Sequence, residues 1–245
     1  MKLKVLTINI WRYYEWEKRK NSAIKFLKEQ DADIVFLQEA AYDERLKDKW
    51  KNQVQEINDE LRYRDFSFSR LTKMTKWHKE PIDWVMYYGL GILSKYLIKH
   101  TEMVILPHVK KNKDFGFVHS VLETLEGTID LINVHFENTD EGSKEHLKKT
   151  LEWCKKKKIN PIIAGDFNMK ITENLIELAG KDYNISYKIK PYISFMPTDF
   201  SNNDKPITLD YILAHKNRFK VKEIKCFQNK ISDHNPVLAL IEFKS

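Results

Sequence analysis

Five polar signatures stand at the ends of apolar, strand-like runs: Asn9 in VLTIN, Glu39 in IVFLQE, His135 in LINVH, Asp166 with Asn168 in PIIAGDFN, and Asp233 with His234 in ISDHNP. A carboxylate closing a run such as IVFL is costly to bury unless its charge is paired or bound to a cation. Strands are rigid mounts, and oxygen ligands gathered from several of them suit a hard divalent ion and phosphate chemistry. Asp166 and Asn168 are two apart on a strand-like segment, so a carboxylate and an amide point to one side and can hold one water or phosphate oxygen together. Asp233 and His234 are adjacent, which requires a loop to aim both at one centre, and Ser232 and Pro236 fit such a loop. Asp210 in ITLDYIL is another carboxylate on an apolar strand, suited to fixing the tautomer of a histidine such as His234. Taken singly, Asn9 is a strand-end turn residue, Ser232 to His234 an Asx-type cap and His135 a satisfied core histidine. Independent turns have no reason to occur in this set and order, so the constellation reads as a catalytic site.

The elements that must position these groups alternate between strand and helix. Lys2 to Asn9 reads as a strand, and Lys18 to Gln30 as a helix with Ala23, Ile24 and Leu27 on one face. A buried strand follows at Ile34 to Leu37. Asp43 to Arg62 carries Leu46, Trp50, Val54, Ile57 and Leu61 at helical spacing, which predicts a core-facing helix. Strands are expected near Asp65 to Ser69, Val85 to Tyr88, Ile92 to Ser94 and Thr101 to Leu106, with Gly91 at a tight strand entry. Phe117 to Leu125 and Thr128 to His135 flank Glu126-Gly127, a hairpin turn. Ser143 is expected to cap a helix running to Lys157, whose lysine-rich end faces water. The strand Pro161 to Ala164 leads to GDFN, then to a short helix capped by Thr172 and ended by Gly180. The last strands fall near Leu209 to Ala214, Lys220 to Cys226 and Val237 to Phe243. Hairpins mixed with strand-helix units imply an α/β architecture in which two sheets can pack face to face under helices.

Residues 1–245 are expected to form a single domain with one large core. Hydrophobic residues make up 42% and charged residues 31% of the chain, an ordinary soluble balance. The formal net charge of +7 suits a polyanionic partner or an anionic surface. Cys154 and Cys226 form neither a CxxC pair nor a Cys/His cluster, so neither a disulfide framework nor a zinc site is expected, and a reducing compartment fits best. The start MKLKVLTINIW lacks a cleavage site, and no run approaches membrane-span length. A cytoplasmic monomer with no obligate protein partner is expected. The aromatic groups Trp11, Tyr13, Tyr14, Trp16 and Trp77, Trp84, Tyr87, Tyr88 favour packing, with base stacking and membrane insertion as alternatives. His78, His100, His108, His119, His146 and His215 have no motif context and are assigned no role.

TIN at 7–9, QE at 38–39, GILS at 91–94, GDFN at 165–168, LDYI at 209–212 and SDH at 232–234 together resemble the endonuclease/exonuclease/phosphatase superfamily of Mg²⁺-dependent phosphoesterases over nearly the whole chain. The resemblance implies a four-layer α/β sandwich, two packed mixed β-sheets flanked by helices, with the site at one edge of the paired sheets. It implies Mg²⁺, with Mn²⁺ as an alternative, held chiefly by Glu39 with Asn9 and Asp233 beside it. Asp166 would orient or activate the attacking water, and Asn168 would contact the phosphate. His234, positioned by Asp210, and His135 would bind and polarise the phosphoryl oxygens. The reaction implied is in-line displacement at phosphorus by water. Histidine at 135 resembles the deoxyribonuclease, sphingomyelinase, deadenylase and tyrosyl-DNA phosphodiesterase branches more than the abasic-site branch, and HFEN at 135–138 resembles a segment of the tyrosyl-DNA phosphodiesterases. A phosphodiesterase acting on nucleic acid is the leading expectation. A phospholipid phosphodiesterase or small-molecule phosphatase with the same machinery is the alternative, and a binding module that has lost catalysis is disfavoured because every polar motif position is filled.

Overall fold

The alternation at the N-terminus becomes a strand with two useful faces. In the computed structural model, which describes residues 1–46, 52–77, 80–170, 173–198 and 205–244, β1 (Lys2–Asn9) sends Leu3 and Val5 into one core and Leu6 and Ile8 into another. Residues one apart on a strand face opposite ways, so a strand apolar on both faces must lie between two layers. Helix α1 (Trp16–Gln30) follows and buries Trp16, Ala23 and Leu27.

Strand β2 (Ile34–Asp43) runs six residues beyond the expected end at Leu37, into the segment predicted as helix. A single 3₁₀ turn at Glu44–Leu46 ends it, and α2 (Gln53–Leu61) starts ten residues later than the Asp43 boundary. The extension is held by β6, with Ala40, Ala41, Tyr42 and Asp43 paired to Gly89, Tyr88, Tyr87 and Met86. Cross-strand pairing overrides a helical spacing that is real only from Val54 onward, where Val54 and Ile57 are buried. Trp50 lies outside the described residues. Asn52 caps α2, accepting from the Gln55 N–H.

The middle of the chain supplies β3 (Asp65–Lys73), the short ribbon β4 (Lys76–Trp77) and β5 (Glu80–Pro81), then β6 (Met86–Ser94). The two strands expected across residues 85–94 are one, because Gly91 does not mark an entry. It lies mid-strand against α2, where a Cβ would stand 2.3 Å from Val54 Cγ2. Strands β7 (Leu97–Ile105), β8 (Gly116–Thr124) and β9 (Gly127–His135) follow, the last two joined by the expected tight hairpin.

Helix α3 (Asp140–Lys157) begins earlier than predicted: Thr139 caps it by accepting from the Gly142 N–H, and Ser143 is buried in its first turn. Then come β10 (Ile162–Asp166), α4 (Glu173–Ala179), β11 (Tyr183–Ile185), α5 (Ser186–Ile189), β12 (Asp210–His215), β13 (Phe219–Cys226) and β14 (Val237–Phe243). The expected cap Thr172 lies outside the described residues, and Gly180 follows α4 as predicted.

The strands form two six-stranded sheets, ordered β13-β14-β1-β2-β6-β3 and β11-β12-β10-β9-β8-β7. Each is mixed, with one parallel pair, β1 with β2 and β9 with β10, among antiparallel neighbours. Leu3, Val5, Ile34 and Phe36 of the first sheet meet Val118, Leu131, Ile162 and Ile212 of the second in the central core. The first sheet's other face packs on α1 and α2 through Leu6, Ile8, Leu27 and Ile57. The second packs on α3 and α4 through Ile132, Ile163, Leu147 and Leu175. The result is the predicted four-layer α/β sandwich. Strands of each parallel pair end at the same edge, and there the chain places its polar signatures.

Candidate active site

Asn9, His135 and Asp166 end β1, β9 and β10, and Glu39 sits at the bulge within β2 beside the end of β1, where α/β sheets offer a crevice. Asp210 opens the antiparallel β12 directly opposite Asp166, and Asp233 and His234 lie just before β14, which runs beside β1. The topology therefore brings all eight sequence-predicted residues to one edge. Seven line a common cleft of about 480 Å³, while Asp210 stands behind His234.

Local backbone geometry aims these groups. Glu39 has φ 52° and sits where the β2–β6 register slips between Gln38 and Ala40, so a bulge turns its side chain out of the alternation. A non-glycine residue in the left-handed region is strained, and such strain clusters at functional sites. Gly165 has φ 145°, and a Cβ there would stand 2.2 Å from the Val134 carbonyl oxygen; glycine lets β10 approach β9 closely enough to set Asp166 beside His135. Beneath the cleft, Gln38 Nε2 donates to Asn133 Oδ1 (2.7 Å), and Asn133 Nδ2 donates to the Gly91 carbonyl (2.8 Å), tying the two sheets together.

Asp166 is the hub. Its Oδ2 accepts from Asn9 Nδ2 (3.1 Å) and lies 3.7 Å from His135 Nε2 and 3.8 Å from His234 Nε2. Its Oδ1 accepts from the Asn168 N–H (2.9 Å). Burial pushes this carboxyl up, to about 7; His234 opposes the rise and Asp210 adds to it. Asn168 is fixed by donating from Nδ2 to the Phe136 carbonyl (2.9 Å).

His234 Nδ1 stands 2.8 Å from Asp210 Oδ2, with both side chains almost fully buried. Burial alone would favour the neutral imidazole, but Asp210 and then Asp166 outweigh it and hold the histidine well above its ordinary value. His135 behaves oppositely: burial lowers it to about 4 against the pull of Glu39, so it is neutral near pH 7. Its ring packs between Tyr88 and Phe115 at centroid distances of 5.8 Å. Ser232 braces the loop, with Oγ 2.6 Å from the Asn9 carbonyl and 3.0 Å from Asp233 Oδ1, while accepting from the His234 N–H.

Two arginines were not legible as site residues. Arg12 Nε lies 2.6 Å from Glu39 Oε2; burial favours a neutral Glu39, yet Arg12 first and His135 next hold its carboxyl below the usual range. Arg19 donates to the carbonyls of Ile10 and Tyr14 and, 2.5 Å away, of Ile231, clamping the segment after Asn9 to the one before Asp233. Arg12 sits in the aromatic stretch 11–16 and Arg19 between two lysines of α1, and neither falls in a motif. The cleft walls add Trp11, Lys111, Lys113, Lys170 and Phe195. Of the aromatic groups, Trp11 and Tyr88 face the cleft, whereas Trp16 is core, its indole donating to Glu56 Oε2. Lys155 to Lys158 stand exposed at the far end of α3, as expected of a solvated helix end.

The donors suit a hard divalent cation. Glu39, Asp233 and Asn9 offer oxygen atoms to the cleft, and the buried Glu39 Oε2 is paired ionically with Arg12 at 2.6 Å. Asn9 meanwhile accepts from the Trp11 N–H, so an ion would use its second lone pair. Asp166, Asp210 and His234 also stand close enough to surround an ion. His234 is already held by Asp210 at 2.8 Å, however, and a protonated imidazole repels a cation, so this trio suits an ion less well than the oxygen set does.

The family model for the endonuclease/exonuclease/phosphatase family matches residues 6–234. The chain belongs to that family. Among solved structures, a family protein from Leptotrichia buccalis C-1013-b superposes with a TM-score of 0.76, 18% identity and coverage of 98% of this chain and 100% of that one. The human Nocturnin catalytic domain with bound sulfate anion gives 0.72, with 19% identity over 99% and 95%. Sphingomyelinase C from Streptomyces griseocarneus gives 0.70, with 20% identity over 98% and 99%. At such identities the likeness carries the fold. Endonuclease/exonuclease/phosphatase proteins are generally phosphoesterase hydrolases and typically depend on a divalent metal.

Proposed function

We propose that this protein is a metal-dependent phosphodiesterase that hydrolyses nucleic acid by in-line attack of water. The observation that carries the reading is the placement of Asp166 between two histidines of opposite charge state, in a cleft walled by Arg12, Lys111, Lys113 and Lys170. Asp166 Oδ2 accepts the proton of the attacking water or orients it, assisted by the Asn9 amide. His234, cationic and aligned by Asp210, donates from Nε2 to a phosphoryl oxygen as charge builds there. Neutral His135 and the Asn168 amide position the other oxygens. Glu39, Asn9 and Asp233 would hold Mg²⁺ or Mn²⁺, which supplies neutralisation of developing oxyanion charge.

The basic walls, with the half-buried Trp11 ring at the cleft, support a polyanion with bases. No described helix is long and apolar enough to cross a membrane. Cys154 and Cys226, both unpaired thiols, fit a cytoplasmic setting, and the chain acts as a monomer.

A second reading has its own observation. Ile193 and Met196 are exposed large apolar residues beside Phe195 at the cleft, as a lipid-facing rim would be. A panel of single- and double-stranded DNA, RNA, abasic DNA, 5′-tyrosyl DNA, sphingomyelin and inositol phosphates, with Mg²⁺ or Mn²⁺ and with EDTA, separates the two. Metal-dependent cleavage of a nucleic-acid substrate supports the first; turnover of sphingomyelin or inositol phosphates alone refutes it.

A further inference from the structure

Outside the catalytic cleft, histidine and glutamate side chains converge at the edge of the second sheet. His100 and Glu102 are two apart on β7 and share a face; Glu102 pairs directly with His119 of β8, so all three project to the α3 side. One ligand atom from each lies within 4.8 Å of the others. None lines the cleft.

His119 supplies the second observation. Its residue is 7% exposed, its Nε2 is held by Asp130 Oδ1 at 2.9 Å, and its Nδ1 is buried without a hydrogen-bond partner. A carboxylate on one ring nitrogen fixes the tautomer that leaves the other nitrogen as an electron-pair donor, the arrangement found behind metal-bound histidines. A buried donor atom left unpaired is costly unless something completes it.

We propose that His100, Glu102 and His119 form a second metal site, for a Zn²⁺-class divalent ion, with Asp130 orienting His119. Two imidazole nitrogens and a carboxylate oxygen suit Zn²⁺ better than Mg²⁺, which prefers an all-oxygen shell. Bond lengths of about 2.0–2.1 Å place tetrahedral donors about 3.3 Å apart. His100 is exposed and Glu102 half-buried, so both can rotate inward while His119 stays fixed. Glu102 Oε2 faces Lys157 Nζ at 3.4 Å, and that ammonium is displaced toward solvent as the ion enters. The bound ion clips edge strand β7 to β8, beside Trp153, whose ring lies 5.1 Å from that of His119.

The test is Zn²⁺ competition against a chromophoric chelator, with Ni²⁺ quenching of Trp153 fluorescence as a parallel signal, on the full chain and on His100→Ala, Asp130→Asn, His119→Ala and Glu39→Gln. We expect a site retained in Glu39→Gln, weakened at least about tenfold in His100→Ala and His119→Ala, and about 10- to 100-fold in Asp130→Asn. Phosphodiesterase turnover in Mg²⁺ stays unchanged in His100→Ala. Should His119→Ala fail to fold, the exposed His100 decides. Zn²⁺ affinity in His100→Ala equal to that of the parent, or binding lost with Glu39 and not with His100, overturns the assignment.

Discussion

His234 Nδ1 meets Asp210 Oδ2 at 2.8 Å, so the buried carboxylate fixes the far side of the ring whose Nε2 faces Asp166. That pairing explains how an imidazole surrounded by protein keeps its proton. Asp210→Asn preserves the shape but removes the charge. Turnover should fall about 10²-fold or more with folding intact, as expected when a histidine loses its orienting carboxylate. Steady-state kinetics on a chromogenic phosphodiester checks it, and an unaltered kcat would show that Asp210 is structural only.

Glu39 occupies a left-handed bulge, φ 52°, with a carboxylate tucked against Arg12. Glycine adopts this backbone freely, so Glu39→Gly relieves strain of about 1 kcal/mol while deleting the carboxylate. Chemical denaturation should show stability equal to the parent or higher by up to about 1 kcal/mol, alongside loss of metal-dependent turnover. A loss of stability beyond about 2 kcal/mol would mean that the Arg12 pair outweighs the strain.

Gly165 combines φ 145° with a neighbour that cannot yield, the Val134 carbonyl of the adjacent strand. Gly165→Ala should cost about 2–4 kcal/mol in denaturant unfolding and displace Asp166 from His135. Wild-type stability in this variant would contradict the close approach of β9 and β10.

His146 gives a pH prediction remote from the chemistry. Its Nδ1 accepts from the Glu137 N–H and its Nε2 donates to the Pro107 carbonyl, an arrangement that requires the neutral ring. Burial lowers its pKa in the folded protein below the ordinary 6.5, so the unfolded chain binds more protons in the window below that value. The stability it contributes is complete above about pH 6.5 and is lost as pH falls. Between about pH 7 and pH 5 the wild-type Tm should drop more than that of His146→Gln. Equal drops would remove His146 from the account.

Much of this site was legible because its chemistry sits where apolar runs stop. Asn9, His135 and Asp166 end their strands and Glu39 follows the apolar first half of β2, and parallel pairing in register brings such positions together whatever the loops do. What escaped was decided by tertiary contacts. Strand β2 continues past its bulge because β6 pairs with it, and no local spacing at Ala40 to Asp43 signals that partner. Arg12 and Arg19 act through backbone carbonyls and one carboxylate brought by distant segments, so neither leaves a periodic trace. Thr139 displaced Ser143 as the cap of α3 because the chain turns helical one step after Thr139, where its hydroxyl meets the Gly142 N–H.

Hydrolysis of bis-p-nitrophenyl phosphate by the purified protein and its Asp166→Asn variant, each with Mg²⁺ or Mn²⁺ and with EDTA, bears most directly on the convergence of these groups around one reacting phosphorus. Metal-dependent turnover that EDTA abolishes and that Asp166→Asn lowers about 10²-fold or more, at unchanged Tm, is the predicted result. Full activity in EDTA, or in Asp166→Asn, would contradict it.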